Sequence, residues 1–181
     1  SLAGSITLSM GQFCTNPGII LLENNPSLND FLEHLKTAFN DFAPTQMLHE
    51  GIAHSYREKQ SLAQQQEGVS VLTAILSEDS TLQINPSLLI TDAVSFMQND
   101  LLNQEVFGPF SILVVCNNKD QMIEVAQTME GQLTATIIGT ANELSQSRGL
   151  INTIEQFAGR IIFNGVPTGV EVCLAMQHGG P

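Results

Sequence analysis

A lone cysteine is the side chain in this sequence best placed to do chemistry. Cys14 stands in Gly11-Gln12-Phe13-Cys14-Thr15-Asn16-Pro17-Gly18, just after an apolar stretch and just before turn-forming residues. Two readings of that thiol compete. Cysteine is among the most often buried residue types, which would make Cys14 a small core residue. Set on a connection between elements, it would instead be a nucleophile displayed by a rigid scaffold. Cys116 and Cys173 both lie in apolar runs and read as packed thiols. Three widely spaced cysteines without a C-x-x-C pair argue against a disulfide framework or a structural zinc site, and for a reducing compartment, the cytoplasm.

Other chemical signals fail on spacing. His49-Glu50-Gly51-Ile52-Ala53-His54 resembles a zinc-protease H-E-x-x-H, but histidines five apart sit about 140° from each other around a helix and cannot share a metal. No metal role is assigned. The sequence holds no G-x-x-x-x-G-K-[ST], no G-x-G-x-x-G and no G-x-S-x-G, so it encodes neither a phosphate-cradling loop nor a serine elbow.

With 181 residues, 43 % hydrophobic and 13 % charged, the chain has the composition of one globular domain. Its net charge of −12, from 18 acidic and 6 basic residues, repels phosphate backbones and anionic lipids. That argues against nucleic-acid and membrane-surface partners. The longest apolar run, around 112–116, is far too short to span a bilayer. The opening Ser1-Leu2-Ala3-Gly4-Ser5 lacks the basic start of a signal peptide.

Positioning such a thiol is the work of the elements around it. Leu2, Ile6 and Met10 recur at helical spacing and predict a helix over 2–10 leading to Cys14. Asn16-Pro17-Gly18 predicts the turn that follows, with Gly18 taking a positive φ. Residues 19–22 read as a buried strand. Ser27 is expected to cap a helix whose apolar face is Leu28, Phe31, Leu32, Leu35, Phe39 and Phe42, ended by Pro44. A polar, mostly solvated helix is predicted over 46–66, then β-rich runs at 69–76 and 88–91.

Residues 111–116 form the clearest buried strand. A helix over 119–129, a strand over 133–138, a helix capped by Asn142 and a strand over 160–163 follow it. This β-α-β-α-β half, with continuously apolar strands, predicts an α/β fold in three layers: a mostly parallel sheet with helices on both faces.

Three segments resemble the aldehyde dehydrogenase superfamily, in the family's order and spacing. Gly11-Gln12-Phe13-Cys14-Thr15 resembles its active-site cysteine segment, and Gln104-Glu105-Val106-Phe107-Gly108-Pro109 its E-x-F-G-P segment. Phe163-Asn164-Gly165-Val166-Pro167-Thr168-Gly169, running on to His178-Gly179-Gly180-Pro181, is similar to the loop after its last core strands. Cys14-Thr15-Asn16-Pro17-Gly18 and the final His-Gly-Gly-Pro look most like the branch acting on α-ketoglutarate semialdehyde and long-chain aldehydes.

The resemblance implies that Cys14 is the catalytic nucleophile, forming a thiohemiacetal and then a thioester. It implies that Glu105 binds the nicotinamide ribose hydroxyls and that Phe107 packs near the nicotinamide. NAD or NADP is the implied cofactor, an aldehyde the implied substrate, and a homo-oligomer the implied assembly. In the family, a dinucleotide-binding domain precedes the cysteine segment and supplies the general-base glutamate and an asparagine for the oxyanion. Residues 1–181 are therefore expected to be a truncated catalytic domain, with the dinucleotide-binding domain absent and no activity alone. Read without the family, Glu105 is a surface carboxylate and Phe107 a core aromatic. Two other functions stay open: an acyl-thioester-forming semialdehyde reductase using phosphate or coenzyme A, and a non-catalytic binding or assembly module.

Overall fold

β-Branched and leucine side chains fill residues 112–115, and the strand that contains them is the central strand of the main sheet. The computed structural model describes residues 1–73 and 81–166. The first part carries α1 (Leu2–Thr7), β1 (Ile19–Glu23), α2 (Leu28–Asn40), β2 (Thr45–Gln46), α3 (Glu50–Gln64) and β3 (Ser70–Val71). The second carries β4 (Gln83–Ile84), β5 (Ser87–Asp92), α4 (Ala93–Met97), β6 (Phe110–Cys116), α5 (Lys119–Gln127), β7 (Ala135–Ile137), α6 (Ala141–Ser145), α7 (Arg148–Ile154) and β8 (Ile161–Phe163).

Among the described residues the main sheet has four strands in the order β1-β6-β5-β3. β6 runs parallel to both neighbours, pairing Ile19 with Ile112 and Ser87 with Phe110, while β3 joins β5 antiparallel. Strand side chains alternate between faces, and here both faces are covered. Leu88 and Leu113 pack with Ala3 and Ile6 of α1 and with Leu35 and Phe39 of α2. Leu89, Ile112, Val114 and Cys116 belong to the opposite cluster, with Ala53 and Tyr56 of α3, Phe96 of α4 and Val125 of α5. The expected three-layer, mostly parallel α/β fold is what forms.

Several local expectations shift. The helix over 2–10 ends at Thr7, because Ser9, Met10 and Gly11 turn left-handed at φ 47, 58 and 60°. Thr45–Gln46 leaves the expected 46–66 helix to pair with Gln83–Ile84, and the helix starts at Glu50. That helix is also less solvated than its composition suggests, burying Ala53, Tyr56 and Ala63. The single helix expected after Asn142 is two, capped by Thr140 and Ser147. Thr140 and Glu143 form a capping box that fixes the first start two residues early. The strands over 133–138 and 160–163 shrink to β7 and β8, which among the described residues pair only with each other, parallel. Their apolar residues pack with α5 and α7 in a third cluster instead of extending the main sheet.

Asp92 links β5 to α4. Its carboxylate accepts from the amides of Val94 (2.9 Å) and Ser95 (3.0 Å) and from the Ser95 hydroxyl (2.7 Å). These bonds, the Ser95 amide foremost, hold the carboxyl below the usual carboxylate value. Asp92→Ala should lower stability by about 1 kcal/mol, the ordinary worth of an N-cap. A depressed folded pKa gives stability above the unfolded value that is lost as pH falls through the folded one. The gap between wild type and variant in urea unfolding should thus be present near neutrality and vanish in strong acid.

Candidate active site

The site begins with a glycine contact. Gly11, at φ 60°, lies so close to the Gly108–Pro109 backbone that a Cβ on it would stand 2.2 Å from the Gly108 oxygen and 2.6 Å from the Pro109 nitrogen. Gly108, at φ 148°, lies in turn against Tyr56, whose ring carbons would meet a Cβ at 2.4 and 2.8 Å. Only glycine permits both the torsion and the approach at these positions. Backbone of the cysteine segment is thereby packed directly on backbone of the segment carrying Glu105 and Phe107.

Hydrogen bonds hold the two in register. The Asn16 side-chain amide donates to the Gly108 oxygen (2.9 Å), and the Ser111 hydroxyl to the Pro17 oxygen (2.6 Å). The Gln12 side-chain oxygen Oε1 accepts from the Leu48 amide (3.0 Å). The turn lies earlier than the sequence suggested. The Asn16 amide bonds the Phe13 oxygen (3.1 Å), which puts Cys14 and Thr15 at the apex. Pro17 and Gly18 already run beside β6, with the Gly18 oxygen accepting from Ile112 (2.9 Å), so Gly18 has no need of a positive φ.

Cys14 is exposed at this apex, and it shares one cavity of about 930 Å³ with Glu105 and Phe107. Glu105 is exposed and Phe107 half-buried. Lys59, also lining the cavity, donates from its ammonium to the Glu105 carbonyl (2.8 Å). Among the described residues the Cys14 amide has no protein acceptor. Sequence reading missed Lys59 and Tyr56, because they lie on a helix remote in sequence from both motifs. The paired glycines Gly11 and Gly108, each beside a motif residue, were the available signal of close approach.

The donor set suits the nicotinamide end of a dinucleotide. An exposed carboxylate accepts from two vicinal ribose hydroxyls, and a half-exposed aromatic ring offers a face to a pyridine ring. A metal has no comparable support: among the described residues no group of three His, Cys, Asp or Glu could hold one. His49 instead caps α3, its Nδ1 accepting from the Ile52 amide.

The second thiol differs in kind. Cys116 is wholly buried at the end of β6, and burial pushes its pKa up to about 11. Since the thiolate is the reactive form, mild iodoacetamide should label Cys14 well before Cys116 in the native protein. Peptide mapping over time checks this, and equal labelling would remove Cys14 from the site. Cys173, and the motif residues Pro167-Thr168-Gly169 and His178-Gly179-Gly180-Pro181, lie outside the described residues. No helix among the described residues is long and apolar enough to cross a membrane.

The model of the aldehyde dehydrogenase family matches residues 1–180. The chain is 39 % identical over 177 residues to alpha-ketoglutaric semialdehyde dehydrogenase 2 of Azospirillum brasilense, covering 98 % of this chain and 34 % of that protein. It is 35 % identical over 178 residues to alpha-ketoglutaric semialdehyde dehydrogenase of Acinetobacter baylyi, again covering 98 % and 34 %. The chain thus spans about a third of the length of these curated relatives. Its fold resembles that of the Delta-pyrroline-5-carboxylate dehydrogenase from Mycobacterium tuberculosis bound with NAD. The TM-score is 0.78 at 16 % identity, over 99 % of this chain and 34 % of that one.

Proposed function

The chain belongs to the aldehyde dehydrogenase family, and from that premise we propose that residues 1–181 are the cysteine-bearing catalytic domain of an NAD(P)-dependent aldehyde dehydrogenase. The observation that carries this reading is the single cavity shared by Cys14, Glu105 and Phe107. Cys14 attacks the aldehyde carbon as thiolate, and the carbonyl oxygen takes the negative charge. The Cys14 amide, without a protein acceptor among the described residues, is a donor this chain offers to that oxyanion. A nicotinamide bound here would supply the acceptor for the hydride that leaves the former aldehyde carbon. What remains on Cys14 is a thioester, which water hydrolyses to the acid and free thiol. Glu105 would hold the ribose hydroxyls and Phe107 would flank the ring, so these two would orient the acceptor rather than react.

Alpha-ketoglutarate semialdehyde is the substrate we propose, on the identity to the two relatives that carry that name. A dinucleotide-binding domain and the base that activates water belong, in this reading, to sequence outside these 181 residues, and the full-length enzyme is a homo-oligomer. The full-length protein should therefore reduce NAD or NADP with this semialdehyde faster than with a medium-chain alkanal. It should release the acid with neither phosphate nor coenzyme A present, which a thioester-forming reductase would require. Residues 1–181 alone should give no sustained turnover. Absorbance of the reduced cofactor measures all three, and absence of turnover in the full-length protein with every aldehyde and both cofactors would favour the non-catalytic module.

A further inference from the structure

Residues 105–107 include Glu105 and Phe107, the side chains proposed above to meet the cofactor, yet among the described residues their backbone is almost free of hydrogen bonds. Among the described residues, the bond from the Lys59 ammonium to the Glu105 carbonyl is the one protein partner that any backbone group of these three residues has. Lys59 is also the one lysine or arginine lining the cavity, beside the carboxylates of Asp100, Glu105 and Glu130. No carboxylate among the described residues lies within ion-pair reach of its ammonium. The charge is thus directed at a backbone carbonyl. One turn earlier on the same face of α3, Tyr56 lies fully buried against Gly108, its hydroxyl donating to the Asn85 oxygen (2.8 Å). α3 therefore grips both ends of the 105–108 segment: by packing at Gly108, and by one charge-assisted bond at Glu105.

We propose that Lys59 is a positioning residue: by fixing the Glu105 backbone it aims the Glu105 carboxylate at the nicotinamide ribose. This rests on the role given to Glu105 above. Without the ammonium, the carboxylate keeps its chemistry but samples many placements, and hydride transfer is sensitive to misplacement of the acceptor.

The test uses the full-length enzyme and four variants: Lys59→Met, Lys59→Arg, Glu105→Gln and the double K59M/E105Q. Single-turnover formation of reduced cofactor is followed with the aldehyde and with its C1-deuterated form, and Cys14 alkylation is timed separately. Lys59→Met should slow hydride transfer by about tenfold, as expected for a misplaced reactant, with a larger isotope effect on kcat. Cys14 alkylation should stay at the wild-type rate. Lys59→Arg, which keeps a donor of the same charge, should recover to within about threefold. The double variant should be no slower than Glu105→Gln alone, because Lys59 acts through Glu105. Additive losses would mean that Lys59 acts independently of Glu105 and would overturn the proposal. So would an unchanged hydride step in Lys59→Met beside a slowed Glu105→Gln. A wild-type rate in Glu105→Gln would instead overturn the role of Glu105, and the proposal with it.

Discussion

On the proposed mechanism, Cys14→Ala in the full-length protein should lower aldehyde oxidation by at least about a thousandfold, since it would delete the covalent route rather than an aid to it. No second thiol among the described residues can take over. Cys116 is wholly buried, and its pKa of about 11 keeps it protonated at neutral pH. Cys14→Ser should lose nearly as much, because a hydroxyl without an adjacent base is a poor nucleophile. Affinity for the dinucleotide should hardly change in either variant, because Glu105 and Phe107 stand on a different segment of the cavity wall. Binding measured by fluorescence of the reduced cofactor, beside steady-state kinetics, separates the two effects. Turnover surviving in Cys14→Ala would end the assignment of the nucleophile.

What the sequence made legible follows from how locally each feature is determined. Residues 111–116 announce a central strand because a run buried on both faces is almost wholly apolar, its one polar residue, Ser111, being satisfied by the Pro17 oxygen, and β6 is buried at all but Val115. The fold class followed from that pattern. The destination of β7 and β8 was not legible, since a three-residue strand can finish the main sheet or pair apart, and packing on α5 and α7 decides between these. The start of α3 was hidden in the same way: Thr45 and Gln46 pair with residues far along the chain. At the site, the resemblance named Cys14, Glu105 and Phe107, and the cavity brings all three together. The turn displaying Cys14 was placed three residues late, because Asn-Pro-Gly is a strong turn signal that pairing with β6 overrides here. Lys59 and Tyr56 left no local mark at all, because their roles exist only across a tertiary contact.

Gly11→Ala should be the most damaging small substitution near the site. The added methyl would stand 2.2 Å from the Gly108 oxygen, and that oxygen is backbone, held at 2.9 Å by the Asn16 side chain. No side-chain rotation relieves such a clash, so one backbone segment must move. The residue would also keep a positive φ, which alanine tolerates poorly. Strain and repacking together should cost about 2–4 kcal/mol, in the range of core disruptions. Gly18→Ala is the matched control: nothing lies within 4 Å of its Cβ position and its φ is not left-handed, so its stability should stay within about 0.5 kcal/mol. Urea unfolding of the two variants beside wild type gives the comparison. In whatever fraction of Gly11→Ala still folds, the cysteine turn is displaced from the Glu105 segment, so kcat should fall even where Cys14 alkylates normally. Equal stability and equal kcat in the two glycine variants would show that the Gly11–Gly108 contact does not set the geometry of the site.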